Sequence, residues 1–154
     1  MTEILFYHLQ RQPLERVLPV LLEKSLERGW RVVVQAASDE RVDALDAHLW
    51  TFRDDSFLPH GTWRQPDAAD QPVLLTIDDG NPNAASVRFL VDSVPLPGDL
   101  SAYQRLVLLF NGDDDEAVTA ARAQWKEIKA QGPDKGLEAT YWQSDDAGRW
   151  VKKA

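Results

Sequence analysis

The sequence predicts an α/β fold, a three-layer Rossmann-like sandwich in which helices cover both faces of a mainly parallel sheet with antiparallel additions. Short apolar or β-branched segments alternate with longer segments whose apolar residues recur at helical spacing. The resulting order of elements, β-α-β-α-β-β-β-α-β, is typical of such sandwiches. The length of 154 residues fits a single domain, so we expect one domain over residues 1–154.

The first half of the chain contributes two strand–helix units to this prediction. Its predicted elements are a strand over 3–9, a helix over 13–29, a strand over 30–36, a helix over 38–50 and a long loop over 51–72. Pro19 lies inside the periodic pattern of the first helix, so we expect a kink or an irregularity near it. Gly29 suits the C-terminal end of that helix, and Ser38 is a candidate N-cap for the next one.

The second half adds four strands, a long helix and a final hairpin. Its predicted elements are strands over 73–77, 86–94 and 105–110, a helix over 113–131, a strand over 137–143, and a hairpin or tail over about 144–154. Acidic residues in the first turn of the long helix complement its dipole, and Gly132-Pro133 ends it. The turn of the hairpin is expected across residues 146–148.

Composition excludes several classes of protein. The chain has no cysteine, which excludes disulfides, thiolate nucleophiles and cysteine-ligated metal centres. Seventeen basic residues against 25 acidic ones give a formal charge of −8, which argues against direct binding of a nucleic-acid backbone. The first residues lack the features of a signal peptide, and the longest apolar run, Leu106–Phe110, is too short to span a membrane. We therefore expect a soluble, cytoplasmic protein without a membrane partner.

Sequence motifs for the common kinds of active site are missing. The first strand is not followed by a Gly-rich phosphate-binding loop, and no serine lies in a nucleophile-elbow sequence. The histidines, His8, His48 and His60, are not spaced as a helical metal-binding pair, so we expect hydrogen-bonded polar residues and not ligands. On this basis we expect no cofactor and no resident metal.

Two acidic clusters offer an enzymatic alternative. Asp78 and Asp79 follow the third strand, and Asp113–Asp115 follow the fifth. Ligands of open α/β sheets gather beyond the carboxyl ends of parallel strands, so the two clusters could together hold Mg²⁺ for phosphoryl hydrolysis. The simpler interpretation is a turn at the first cluster and a helix cap at the second.

The helix over 113–131 presents a basic and aromatic face. At about 100° per residue, its apolar stripe comprises Ala117, Ala121 and Ile128. A neighbouring stripe comprises Arg122, Lys126 and Lys129, with Trp125 between the two. Three cations beside an indole suit an acidic ligand that carries an apolar anchor. The alternative is a solvated helix face whose tryptophan covers the edge of the sheet.

A second group of large apolar residues lies around the long loop. It comprises Trp50, Phe57, Leu58 and Pro59, in an otherwise polar segment. Such residues either fold under as a satellite core or remain exposed as a patch for a partner. From the residues alone the buried arrangement is favoured.

Several short motifs are shared with a known family. They are Phe6-Tyr7, Gly29-Trp30-Arg31-Val32, Leu45-Asp46, Leu49-Trp50, Ser56-Phe57-Leu58-Pro59-His60, and Arg122 with Trp125-Lys126 before Gly132. Through them the chain resembles, over nearly its whole length, the chi subunit of bacterial DNA polymerase III holoenzyme. The Leu-Trp…Phe-x-Pro-His signature is the most specific part of this resemblance.

The resemblance implies an accessory subunit without catalytic activity. It implies pairing with the psi subunit, which links to the clamp loader, and binding of the C-terminal tail of single-stranded DNA-binding protein. That tail ends in acidic residues, an apolar dipeptide and a free carboxylate. By position, the implied tail-binding residues are Arg122, Trp125, Lys126 and Lys129. The implied surface for psi, or for a DNA-repair helicase as an alternative partner, is Trp50, Phe57, Leu58 and Pro59.

Overall fold

The computed structural model describes residues 2–10, 12–52, 58–144 and 149–154. Within these ranges eight strands form one sheet: β1 (Thr2–Leu9), β2 (Val32–Gln35), β3 (Gly61–Thr62), β4 (Val73–Thr76), β5 (Val87–Leu90), β6 (Arg105–Asn111), β7 (Leu137–Ser144) and β8 (Trp150–Lys152). The helices are α1 (Leu14–Glu27), α2 (Asp39–Thr51) and α3 (Asp115–Gln131). Short 3-10 helices lie at Ala68–Asp70 and Pro133–Lys135.

The sheet is parallel except at one edge. Its strand order is β3-β4-β2-β5-β6-β1-β7-β8, and of the described pairs only β7 and β8 run antiparallel. β1 lies between β6 and β7, so that Phe6 stands opposite Leu108 on one side and Tyr141 on the other. The predicted parallel sheet with antiparallel additions is confirmed.

Helices cover both faces of the sheet, which confirms the three-layer prediction. α1 and α2 pack on one face, where Leu18 and Leu45 belong to the larger core. α3 packs on the other face through Ala121 and Ile128. Through α1 the chain moves from β1 toward β2 on one side of the sheet, and through α3 it moves from β6 toward β7 in the opposite direction. Because connections between parallel strands are generally right-handed, movement in opposite directions places the two helices on opposite faces. Within the described ranges, none of the helices has the length and apolar character that crossing a membrane requires.

Two predicted boundaries require correction. The strand predicted over 86–94 ends at Leu90, because Asp92 and Ser93 have φ angles of 59° and 62° and leave the extended conformation. The loop predicted over 51–72 contains β3, which pairs with β4, and a 3-10 helix. A two-residue strand has no sequence periodicity, so only its partner strand reveals it.

The irregularity predicted at Pro19 does not interrupt α1. The helix runs from Leu14 to Glu27 with Pro19 buried inside it. Proline has no N–H for the carbonyl oxygen four residues earlier, which belongs to Glu15. The imidazole of His48 on α2 supplies a replacement donor to that oxygen at 2.5 Å. A tertiary hydrogen bond therefore replaces the missing helical one.

The predicted C-terminal hairpin is present as a pair of strands. β8 pairs antiparallel with β7, and Trp142 stands opposite Lys152. Trp150 packs against Tyr7 with ring centroids 4.6 Å apart, which attaches the end of the chain to β1. The predicted turn over 146–148 lies outside the described residues.

Candidate functional site

The position of α3 on the sheet determines which of its residues reach solvent. The carboxylate of Asp114 caps the helix by accepting hydrogen bonds from the backbone N–H groups of Glu116 and Ala117. Ala121 and Ile128 are buried against the sheet. The neighbouring stripe of Arg122, Lys126 and Lys129 is exposed, as the helical periodicity predicted. We call these three residues together with Trp125 the basic stripe.

Trp125 is the apolar centre of the basic stripe. It is partly buried and packs edge-on against Phe6, with ring centroids 5.4 Å apart, and against Tyr141 at 5.8 Å. The ammonium group of Lys129 lies 5.1 Å from the centroid of the indole ring, within the range of a cation–π contact. The sheet thus holds the indole in one orientation, with a cation beside its ring.

The cations of the basic stripe have no carboxylate partner within the described part of the chain. Arg41, by contrast, pairs with Asp92 at 3.1 Å, and Arg105 pairs with Glu3 at 3.3 Å. No ion pair joins Arg122, Lys126 or Lys129 to a described residue. Three neighbouring cations without an ion-pair partner among the described residues are chemically suited to an external carboxylate.

Two polar residues, His8 and Tyr141, adjoin the basic stripe, and the sequence did not point to either of them. Nδ1 of His8 on β1 lies 2.7 Å from the hydroxyl oxygen of Tyr141 on β7. Both rings contact Phe110 on β6, at centroid distances of 5.1 and 5.9 Å. These residues are far apart in sequence, and only the parallel pairing of β1 with β6 and β7 brings them together. No local motif could have indicated this cluster.

Arg122 acts electrostatically on both of these residues. Burial lowers the pKa of His8, the Arg122 guanidinium lowers it further, and the Asp113 carboxylate opposes them. Burial raises the pKa of Tyr141, and Arg122 opposes that rise. Burial and Arg122 thus both favour the neutral form of the His8 imidazole.

The second predicted surface lies at the end of α2. Trp50 is 52% exposed, and its ring centroid lies 4.4 Å from that of His60. Pro59 is partly buried, whereas Leu58 is 2% exposed and belongs to the core. The Leu58 side chain therefore packs into the core beneath this segment, and its part in the predicted surface stays a prediction. Phe57, the remaining member, lies outside the described residues.

The histidines are hydrogen-bonded polar residues, as predicted. His60 is 5% exposed, with Nδ1 at 2.7 Å from the carbonyl oxygen of Leu58. Its Nε2 lies 3.2 Å from the carbonyl oxygen of Asp46 and 3.1 Å from Oδ1 of the same residue. These bonds connect the segment after position 58 to α2 and so support the position of Trp50.

The two acidic clusters do not form one site. They follow β4 and β6, and β2 and β5 lie between these strands, which separates the clusters by roughly 14 Å at the usual strand spacing. Asp78 accepts from the N–H of Gly80 in a turn, and Asp114 caps α3. Among the described residues no three side chains of the metal-ligating types come together. The described geometry therefore does not bring the two clusters together at a shared Mg²⁺ site, and it fits the simpler interpretation of a turn and a helix cap.

Comparison with known proteins agrees with the motif resemblance. A profile of the DNA polymerase III chi subunit family, HolC, matches residues 1–135. This chain belongs to the DNA polymerase III chi subunit family. The family's matched range contains the whole basic stripe and the Trp50 surface, but it ends before β7 and therefore before Tyr141.

Curated relatives of the chi family are similar at modest identity. The probable DNA polymerase III subunit chi of Rickettsia prowazekii (strain Madrid E) is 29% identical over 91 residues, which are 59% of this chain. That alignment spans 55% of the relative, about half its length. The DNA polymerase III subunit chi of Pseudomonas aeruginosa is 27% identical over 113 residues, covering 73% of this chain and 76% of the relative. Membership of this family implies an accessory role in DNA replication.

Proposed function

We propose that this chi-family protein is a non-catalytic adaptor of the replicative DNA polymerase III. It binds the acidic C-terminal tail of single-stranded DNA-binding protein through the basic stripe. It also joins the psi subunit, and through psi the clamp loader, by the surface around Trp50. One observation carries the first part of the proposal: Arg122, Lys126 and Lys129 flank a fixed indole and form no ion pair with a described residue.

The chemistry of the basic stripe matches that of an acidic peptide with an apolar end. The guanidinium of Arg122 can pair with a carboxylate through two parallel hydrogen bonds, and the ammonium of Lys126 supplies a more mobile charge. Apolar side chains of the peptide gain buried area against the exposed part of Trp125. Each of these contacts is weak when exposed, so binding depends on several acting together.

The overall charge of the protein favours a peptide over a nucleic acid. The chain carries −8 at pH 7, and three of its exposed cations lie close together on one face of α3. A nucleic-acid backbone extends well beyond such a patch and meets the acidic remainder of the surface. A short peptide can reach the basic stripe without that penalty.

The surface for psi is proposed on a different element. Trp50 is a large aromatic side chain that is half exposed at the end of α2, and such residues dominate the energetics of protein interfaces. His60 and the buried Leu58 fix the neighbouring backbone. Phe57 and Pro59 complete the proposed surface, and a DNA-repair helicase is an alternative occupant of it.

The test of the first proposal is a direct titration. A fluorescent peptide with several acidic residues, an apolar dipeptide and a free C-terminal carboxylate is added to the purified chain, and its anisotropy is measured. Arg122→Ala and Lys126→Ala should each weaken binding by roughly threefold to tenfold. Lys24→Ala is the matched control, because Lys24 is an exposed cation on α1.

The controls separate the charge effect from damage to the fold. Each variant should retain the circular dichroism and the thermal unfolding midpoint of the unmodified chain, since the substituted side chains are exposed. A peptide amidated at its C-terminus should bind more weakly than the free acid. Unchanged affinity after both Arg122→Ala and Lys126→Ala would show that the tail binds elsewhere.

A further inference from the structure

The side chains of His8 and Tyr141 form a hydrogen bond between β1 and β7, on the face of the sheet that α3 covers. Nδ1 of His8 and the hydroxyl of Tyr141 are 2.7 Å apart, and both side chains are only partly buried. The Tyr141 ring also contacts Trp125, the centre of the basic stripe. The pair therefore lies at the edge of the proposed peptide site, and Tyr141 lies beyond the range that matches the family.

The charged groups that face His8 come from α3 and from the turn before it. Arg122 is the cation, Asp113 is the carboxylate, and the hydroxyl of Tyr141 is the titratable neighbour on β7. β6 contributes the apolar ring of Phe110. Gly112 packs so closely that a Cβ atom at this position would lie 2.1 Å from Nε2 of His8, so the imidazole is held in place.

We propose that Tyr141 and His8 are a second anchor for the carboxylates of the bound peptide, beside Arg122, and that protonation of His8 strengthens this anchor. In this arrangement the Tyr141 hydroxyl touches the peptide and His8 is a positioning residue that acts through it. The inference rests on the proposed function, because its ligand is the same acidic peptide.

The direction of the hydrogen bond explains the role of the proton. In neutral His8, Nδ1 can accept the hydroxyl proton of Tyr141, which leaves that hydroxyl without a proton for a ligand. In protonated His8 both ring nitrogens are donors, so Nδ1–H must donate to the oxygen of Tyr141. The hydroxyl proton is then released to point outward, where it can donate to a carboxylate near Arg122. The bond that forms in this step is Nδ1–H, with a proton taken from solvent, while Tyr141 keeps its own O–H bond and only turns it toward the ligand.

Protonation also adds a positive charge to the site. A unit charge about 6 Å from a carboxylate, in a dielectric close to that of water, strengthens binding by about threefold. The Asp113 carboxylate reduces this gain and Arg122 opposes protonation until an anion arrives. Peptide binding should therefore raise the pKa of His8, since it places negative charge beside the imidazole.

The experiment combines the fluorescent acidic peptide with a pH series. Affinity of the unmodified chain should increase, by up to about threefold, as the pH falls from about 7.5 to about 5.5, a range in which the peptide carboxylates stay ionised. His8→Gln should remove this increase while preserving binding at the higher pH. Tyr141→Phe keeps the ring contacts and should lose affinity at low pH by at least the same factor. Tyr7→Phe is the matched control, because Tyr7 packs on the other face of the sheet.

A second measurement does not depend on any variant. The pKa of His8, read from its imidazole proton resonances in nuclear magnetic resonance spectra, should rise when the peptide is added. Peptide binding that is weakened by Arg122→Ala but unchanged in Tyr141→Phe, with the same pH profile in His8→Gln, would overturn this inference and leave the proposed function intact. No binding by the unmodified chain at any pH would overturn both.

Discussion

His48 donates a hydrogen bond from Nε2 to the carbonyl oxygen of Glu15 at 2.5 Å, and this bond joins α2 to α1. The acceptor is the one carbonyl that Pro19 deprives of its helical partner. A buried proline inside a helix normally leaves such an oxygen unpaired, at a cost of about 1–3 kcal/mol when it is desolvated. Here the defect in one helix becomes the point at which the other helix is attached.

A double-mutant cycle tests this relationship. His48→Ala should lower the free energy of unfolding by about 1–2 kcal/mol, because the Glu15 carbonyl loses its donor. In a Pro19→Ala background the new backbone N–H can donate to the same oxygen, so the cost of His48→Ala should fall by about 1 kcal/mol. Urea unfolding of the four proteins measures the coupling. Equal costs in the two backgrounds would contradict the replacement of one donor by the other.

The chain shows how far a sequence can indicate such features. The strands, the helices and the exposure of the basic stripe follow from periodicity, which is a local property. The bond between His48 and Glu15 joins residues that are 33 positions apart. The bond between His8 and Tyr141 joins residues that are 133 positions apart. Such contacts depend on strand order and helix packing, and no short motif encodes them. The sequence also does not predict the left-handed backbone conformations of Asp92 and Ser93, since neither residue type requires them.

Arg88 provides a prediction about the core. Its side chain is completely buried in β5, and its guanidinium donates to Tyr103, Gln35 and the backbone oxygens of Gly80 and Asp78. Arg88→Ala should lower the free energy of unfolding by about 3 kcal/mol or more, because it leaves several buried acceptors unpaired.

A matched substitution isolates the effect of burial. Arg64 is an exposed arginine that pairs with Asp43 on the surface, so Arg64→Ala should change the free energy of unfolding by at most about 1 kcal/mol. Chemical denaturation of the two variants gives the comparison. Similar losses in both would mean that the Arg88 network contributes little.

Trp50 should be important for binding and unimportant for folding. Its side chain is 52% exposed, so Trp50→Ala should reduce the free energy of unfolding by no more than about 1 kcal/mol. The same change should abolish co-purification with psi if the surface at the end of α2 is the interface. Val20→Ala is a suitable control, since Val20 is another exposed apolar residue, on α1. Full retention of psi by Trp50→Ala would place that interface elsewhere.

Charge reversal on α3 should distinguish electrostatic attraction from simple contact. Lys126→Glu should weaken binding of the acidic peptide more than Lys126→Ala, because it replaces attraction by repulsion. The difference between these two variants should shrink by several-fold between about 50 mM and about 500 mM salt, since exposed charges are screened over a few ångströms at high ionic strength. Anisotropy titrations at both salt concentrations measure this. A difference that is independent of salt would indicate that the glutamate acts by altering the helix.

The stability of the protein should depend on pH in part through His8. Its pKa in the folded protein lies below the ordinary value of 6.5, chiefly because of burial and then because of Arg122. Between those two values the unfolded chain binds more protons than the folded one, so the free energy of unfolding falls as the pH drops through this window. His8→Gln removes that contribution, and the variant should lose less stability than the unmodified chain as the pH drops below 6.5. Urea unfolding over a pH series measures the two slopes, and the carboxylates common to both proteins cancel in the comparison. Parallel slopes would show that His8 is as easily protonated in the folded chain as in the unfolded one.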